Sequence, residues 1–405
     1  MAIWYAMRIT VPRLLAPLLF TVVLSACGGG DGPAPAAAPV GIPISRDEGT
    51  PIAGAADWTW VPFPDAYCTD AVADNLGIYH FGTSTTGLAI SWGAPTSKDV
   101  VLFLQGGGAC WDFLTCGGAA PLVPKTAAAG PFGPEQFASD IYAEYPNSWI
   151  RRANVPPSLH DATIVFVPYC TGDVHSGDRV TTYEPLPGYA SVTWQHVGHA
   201  NVKAFLRRLA PTFPDVGKLV ISGASAGGFG SLSNYVTFRA EWPHAKGYLV
   251  DDSGPPLIGE AIPFYTRGLW YANWGLGATL DGFCPECRTD MSAGLREITA
   301  RYPDDRVALV SHLQDEVIRG FFGTLTLDGG ELGFTSMPAA VFEDHLRTLG
   351  TTVMDPATAN AKYFFTAGDG HPTLEDPTAI ATPSPGLPEW LELMMSDSPW
   401  TSVSD

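Results

Sequence analysis

Ser225 lies in the run Gly223-Ala224-Ser225-Ala226-Gly227, between an apolar, β-branched stretch (residues 218–222) and a segment with helical spacing from Phe229 onward. Strand, tight turn and helix in that order are the context of a G-x-S-x-G nucleophile elbow, in which a sharp turn lifts a serine hydroxyl to the mouth of a sheet. Small residues flank such a serine because larger ones would strike the neighbouring backbone. The competing use of the serine is as a plain helix cap. A serine hydroxyl is a poor nucleophile at neutral pH, so an elbow implies a base to take its proton and a carboxylate to orient that base. Where both follow the serine in the order acid then histidine, each comes in a loop after a strand. The histidines beyond Ser225 are His244, His312, His345 and His371. His371, in Gly368-Asp369-Gly370-His371-Pro372 just after the last predicted strand, is the expected base; His244 follows the elbow helix and His345 lies inside a predicted helix. Asp315, after a strand at residues 307–311, is the expected acid, with Asp252 (or its neighbour Asp251) at the end of the preceding strand as the alternative. A developing oxyanion needs backbone donors, and Gly107 and Gly108, with the amide of Ala226, are in position to supply them.

These residues need a sheet to hold them. Residues 100–104 and 163–168 are continuous apolar runs, as expected of strands covered on both faces. The first empties into the glycines at 106–108 and the second into Tyr169-Cys170-Thr171-Gly172-Asp173-Val174-His175. Trp194, Val197, Val202, Phe205, Leu206 and Leu209 are spaced for one face of a helix before the serine strand. Strands at 247–250, 307–311 and 362–366 follow, with helices predicted at 338–349 and 388–395. Strands alternating with helices predict a mostly parallel central sheet with helices on both sides. Residues 257–305, rich in Gly, Trp, Tyr and Pro, read as an insertion or lid over the strand ends.

Hydrophobic residues make up 46% of the 405 and charged residues 16%, enough to bury one large core. Arg8 and Arg13 precede an apolar run at 14–24 that is too short for a permanent membrane span and has the layout of an export signal. It ends Leu24-Ser25-Ala26-Cys27, which resembles a lipoprotein cleavage site with Cys27 as the lipidated residue. Residues 1–26 are therefore expected as a signal, 27–54 as a Gly/Ala/Pro tether and 55–405 as the folded domain. Cleavage before Cys27 would take the formal charge from −19 to −21, which disfavours nucleic acid as a partner. The lipid would be the sole membrane contact, at the envelope of the exporting cell.

Six cysteines remain after Cys27. An even number in an exported chain points to as many as three disulfides. Proximity favours Cys110 with Cys116 and leaves Cys68 for Cys170, though fifteen pairings are open to six cysteines. Cys284-Pro285-Glu286-Cys287 reads as a disulfide rather than half a zinc site, since no second pair has zinc spacing.

The segments Leu104-Gln105-Gly106-Gly107-Gly108-Ala109-Cys110-Trp111-Asp112, Val167-Pro168-Tyr169-Cys170-Thr171-Gly172-Asp173-Val174-His175, the Gly223–Gly227 elbow and Leu249-Val250-Asp251-Asp252-Ser253-Gly254-Pro255 together resemble the pectin acetylesterase family, over roughly residues 57–377. The resemblance implies an α/β-hydrolase-like fold, no metal or cofactor, and a triad of Ser225, Asp315 and His371. It also implies that Trp111 lines the acyl pocket, with a plain core tryptophan as the alternative. Asp173 and His175 are read as fixing their loop. The implied activity is hydrolysis of acyl esters, acetyl foremost, on a glycan or a small ester. Polyester or lipid-ester hydrolysis, and a non-catalytic surface lipoprotein that binds glycan or lipid, are the alternatives. The negative charge argues against polygalacturonate itself.

Overall fold

The computed structural model describes residues 41–405 apart from 74–78, 117–126, 185–189, 329–330 and 356–359. The export signal, Cys27 and the first part of the expected tether lie outside the described residues. The strands in chain order are β1 (Thr50–Ile52), β2 (Ala55–Ala73), β3 (Tyr79–Ser91), β4 (Val100–Leu104), β5 (Thr163–Val167), β6 (Arg179–Tyr183), β7 (Val192–His196), β8 (Lys218–Ala224), β9 (Lys246–Asp252), β10 (Arg306–His312), β11 (Thr324–Asp328), β12 (Glu331–Thr335), β13 (Ala361–Thr366) and β14 (Val403–Ser404).

Ten of these form one sheet in the order β1-β2-β3-β5-β4-β8-β9-β10-β13-β14. From β5 to β14 all neighbours run parallel, while β1, β2 and β3 extend the sheet antiparallel at one edge. β4 and β5 are buried at every position, as their unbroken apolar runs require of strands covered on both faces. One face packs on the helices Gly198–Thr212 and Ala226–Glu241, the other on the terminal helix Leu387–Met395 and the aromatic side chains around Phe137 and Trp149. The mostly parallel sheet is the one expected from the alternation of strands and helices, and the architecture is the α/β-hydrolase-like one that the family resemblance implies.

The strand order fixes where a site forms. After β4 the chain places β5 on one side, then returns to lay β8 on the other, so the sheet reverses its direction of growth between β4 and β8. In open α/β sheets ligands bind at such a switch point, beyond the carboxyl ends of the strands. Here the glycines follow β4, Ser225 follows β8, and Leu104 pairs with Gly223 across the gap.

Two expectations are corrected. Trp194 is not on a helix. It lies in β7, which pairs antiparallel with β6 and alternates buried and half-exposed or exposed positions, and the helix starts at Gly198. Trp194 is drawn to the hydrophobic cluster around Cys110 and Cys116, so its agreement with helical spacing was coincidental. The tether does not extend to residue 54. Ile44 and Ile52 are buried, the Ile44 amide donates to Thr212 Oγ1, Glu48 pairs with Arg208, and β1 joins the sheet. Ile44, the Thr212 hydroxyl and the Arg208 ion pair hold residues 44–48 to the helix Gly198–Thr212, while Ile52 packs into the cluster on the other face of the sheet.

Three disulfides join Cys68 to Cys170, Cys110 to Cys116 and Cys284 to Cys287. The first ties β2 to the loop after β5 across 102 residues; closing a loop of about 100 residues contributes roughly 4.7 kcal/mol in chain-entropy terms. Among the described residues no helix is long and apolar enough to cross a membrane.

Candidate active site

The elbow leaves no room for side chains at its glycines. A Cβ on Gly223 would come 2.2 Å from the Gly227 carbonyl oxygen, and one on Gly227 would come 2.0 Å from that of Leu104. Between them Ser225 has φ 59° and ψ −120°, a conformation that costs about 1–3 kcal/mol outside glycine. The surroundings over-determine it: its amide donates to the Asp252 carbonyl at 2.8 Å, and its own carbonyl accepts from Phe229 at 3.2 Å. Ser225 caps the helix Ala226–Glu241 through the backbone, without a side-chain bond, so helix capping does not explain the residue.

His371 follows β13, and its Nδ1 lies 2.7 Å from Asp315 Oδ2. Asp315 is fully buried, and its other oxygen accepts the amides of Val317 and Ile318, which caps the helix Glu316–Phe321. The carboxylate is thus fixed from the protein side while facing the imidazole. Burial pushes the His371 imidazole down, but the Asp315 hydrogen bond and charge, joined by Asp252 and Glu375, outweigh it and hold the group above the ordinary histidine range.

Asp252 has other work. Its Oδ1 accepts from the Thr373 amide and hydroxyl, and its Oδ2 from the Leu374 amide at 2.7 Å. One residue therefore joins the elbow, through its carbonyl, to the loop carrying His371, through its carboxylate. Burial pushes Asp252 up despite those donors. Asp251 lies under Gly228 and Gly254, where a Cβ on either glycine would fall within 2.5 Å of its Oδ1, and burial with the Asp252 charge holds it well above the carboxylate range. His312 sits beside Gly370, whose Cβ would meet the ring at 2.9 Å. His244 is exposed in the turn after the elbow helix and His345 is half-buried in the helix Ala339–Leu349.

Gly107 and Gly108 take φ of +144° and +76°, values open to glycine at little cost. Gly108 and Ala226 line one pocket together with Ser225. Trp111 lines it too, its ring 5.9 Å from Trp270 and 6.4 Å from Phe321. The rest of the wall is overwhelmingly apolar and includes Phe229, Trp274, Ile318 and Phe322. Trp270 and Trp274 come from the segment at 257–305, whose Trp content was the signal for them. Sequence reasoning passed over Phe321 and Phe322, although they close the helix that Asp315 begins. It also passed over Glu375. Burial first, and then the Asp252 charge, push Glu375 up to about 7 close to His371, against the opposing pull of His371 and of a hydrogen bond from Tyr145.

Cys110, Cys116 and His196 lie close enough to suggest a metal site. The two cysteines form a disulfide, and both nitrogens of His196 are engaged, by the Thr171 carbonyl and the Tyr183 hydroxyl, so the donor set does not fit an ion.

The family profile described as pectinacetylesterase matches residues 84–257. That stretch holds the glycine loop, Trp111, the elbow and Asp252, and ends before Asp315 and His371. The palmitoleoyl-protein carboxylesterase NOTUM of Drosophila melanogaster is 26% identical over 149 residues, 36% of this chain and 21% of the relative. The palmitoleoyl-protein carboxylesterase notum2 of Xenopus laevis is 31% identical over 139 residues, 34% and 26% of the two chains. The match thus spans about a quarter of the length of these curated relatives. The crystal structure of the Wnt deacylase Notum from Drosophila superposes with a TM-score of 0.52 at 19% identity, covering 84% of this chain and 92% of that one. Residues 84–257, with the glycine loop and the elbow, are thus similar to the pectinacetylesterase family, and the chain shares its fold with Notum.

Proposed function

We propose that the protein is a serine carboxylesterase that works through an acyl-enzyme on Ser225. The observation that carries this reading is the 2.7 Å contact between His371 and a buried Asp315, at the same sheet edge as a strained serine that opens into an apolar pocket. With Nδ1–H donated to Asp315, the His371 lone pair is on Nε2 and takes the Ser225 proton as Oγ attacks the ester carbonyl. The amides of Gly107, Gly108 and Ala226 receive the oxyanion. His371 then passes the proton to the leaving alcohol, and water repeats the sequence to release the acid and free Ser225.

The pocket favours an aliphatic acyl group longer than acetyl, because an acetyl methyl would touch few of its apolar walls. The relatives named as palmitoleoyl-protein carboxylesterases agree with that direction. Each methylene buried adds about 0.8 kcal/mol, so kcat/KM on 4-nitrophenyl esters is expected to rise at least about tenfold from acetate to hexanoate. A maximum at acetate with a steep fall beyond it would make the protein a deacetylase. Labelling by a fluorophosphonate separates either enzyme from a binding protein, because only an activated serine reacts. The disulfides support an oxidising compartment, and export with lipidation at Cys27 would keep the enzyme at the cell envelope.

The rate should depend on pH through His371. The base must be neutral to accept a proton, and its folded pKa is raised, so activity is expected to be lost as pH falls through a midpoint above the ordinary histidine value. An ionised Glu375 stabilises the imidazolium. Glu375→Gln should therefore move the acid limb of the kcat/KM profile to lower pH, and a limb that stays in place or moves upward would contradict this.

A further inference from the structure

Three carbonyls in the loop after β4 are tied back into the protein. The Gln105 carbonyl accepts from His175 Nε2 at 2.8 Å, the Gly107 carbonyl from the Ala128 amide at 2.7 Å, and the Gly108 carbonyl from the Tyr169 hydroxyl at 2.9 Å. In a planar trans peptide the C=O and the following N–H point in opposite directions. Anchoring the Gly107 carbonyl therefore turns the Gly108 N–H the other way, and Gly108 borders the pocket that holds Ser225.

Two of the anchors belong to one unit. The Tyr169 amide donates to Gln105 Oε1 at 2.9 Å, and its hydroxyl also accepts the Val174 amide at 2.8 Å. The His175 ring packs against that of Tyr169, tilted by 32° with centroids 4.7 Å apart. Val174 and His175 both take left-handed backbone angles, with φ of 49° and 59°, which are uncommon for such side chains. The unit also reaches the nucleophile's helix: a Cβ on Gly230 would meet the His175 side chain at 2.9 Å, and Asn234 Nδ2 donates to the His175 carbonyl. Tyr169 and His175 thus both hold the glycine loop, and His175 also touches the helix that Ser225 begins. Burial pushes the His175 imidazole down to about 4, so at neutral pH it is an uncharged donor and no part of the acid–base chemistry.

We propose that Tyr169 and His175 are positioning residues that hold the Gln105–Gly108 loop with its amides toward the carbonyl oxygen of the acyl group on Ser225. This rests on the serine-esterase reading above. Losing one oxyanion donor costs about 10²–10³ in kcat, so loosening the loop should cost about 10–100-fold.

The test compares wild type with Tyr169→Phe, His175→Leu and His175→Gln, the last of which keeps a side-chain N–H. For each, kcat, KM, Tm and the affinity for an aliphatic boronic acid are measured, since its tetrahedral adduct on Ser225 carries the charge the loop would receive. Tyr169→Phe and His175→Leu are expected to lower kcat about 10–100-fold with KM little changed. Boronate affinity should fall in step, and His175→Gln should recover most of the loss. Variants that lose Tm but keep kcat and boronate affinity would show a merely structural role and overturn the proposal. If Tyr169→Phe does not fold, the His175→Leu and His175→Gln pair decides alone. A wild type that neither turns over esters nor binds the boronate defeats the esterase reading itself, and the positioning role with it.

Discussion

Ser225→Ala is expected to reduce kcat on 4-nitrophenyl esters by about 10⁴–10⁶-fold with Tm unchanged. In the proposed mechanism the hydroxyl is the nucleophile, and what its removal leaves is the contribution of substrate binding and oxyanion donors. The residue makes no side-chain bond in capping its helix, and alanine faces the same backbone angles as serine, so folding has no reason to suffer. The variant should still bind a non-hydrolysable ester analogue, because the pocket walls are untouched. Activity retained within about tenfold, far above the residual rate expected for a lost nucleophile, would mean that the hydrolysis comes from elsewhere.

The second large effect separates two buried aspartates. Asp315→Asn is expected to lower kcat about 10⁴-fold, because the amide no longer holds His371 in the tautomer that leaves Nε2 free. Stability should change little, since the Asp315 oxygen that accepts the amides of Val317 and Ile318 has an equivalent in asparagine, itself a good helix cap. Asp252→Asn should do the opposite. Its carboxylate holds Thr373 and Leu374, so the change costs about 1–3 kcal/mol of stability while the folded enzyme keeps most of its kcat. Parallel measurements of kcat and denaturation midpoint decide the assignment, and the reverse pattern would make Asp252 the acid.

The parts of the site governed by local crowding could be read from the sequence. Gly223 and Gly227 are glycines because the Gly227 and Leu104 carbonyls lie where a Cβ would be, and that constraint is written in five consecutive residues. The apolar runs of β4 and β5 likewise declare strands covered on both faces. The acid was harder to read. Asp252 ends one strand and Asp315 follows the next in the parallel part of the sheet, and what distinguishes them is where Thr373 and Leu374 come to lie, more than a hundred residues from Asp252. Trp194 shows the opposite failure, in which a residue of β7 matched helical spacing while its partners, Phe81 and the Cys110–Cys116 disulfide, were remote in sequence. Ile44 and Ile52 escaped notice because two buried side chains in a stretch of glycine and proline leave no periodicity to read. Tyr169 lies in the recognisable segment after β5, yet its double hydrogen bond to Gly108 and Val174 depends on two loops meeting at the switch point of the sheet.

Acylation of Ser225 is the step that the proposed esterase chemistry requires. The direct measurement is the intact mass of the protein after brief exposure to a 4-nitrophenyl ester, or to a fluorophosphonate, followed by peptide mapping in wild type and Ser225→Ala. The expected result is a single adduct on the peptide containing Ser225, formed with a burst of 4-nitrophenol and absent from the variant. An adduct on another residue, or turnover with no covalent adduct from either reagent, would contradict it.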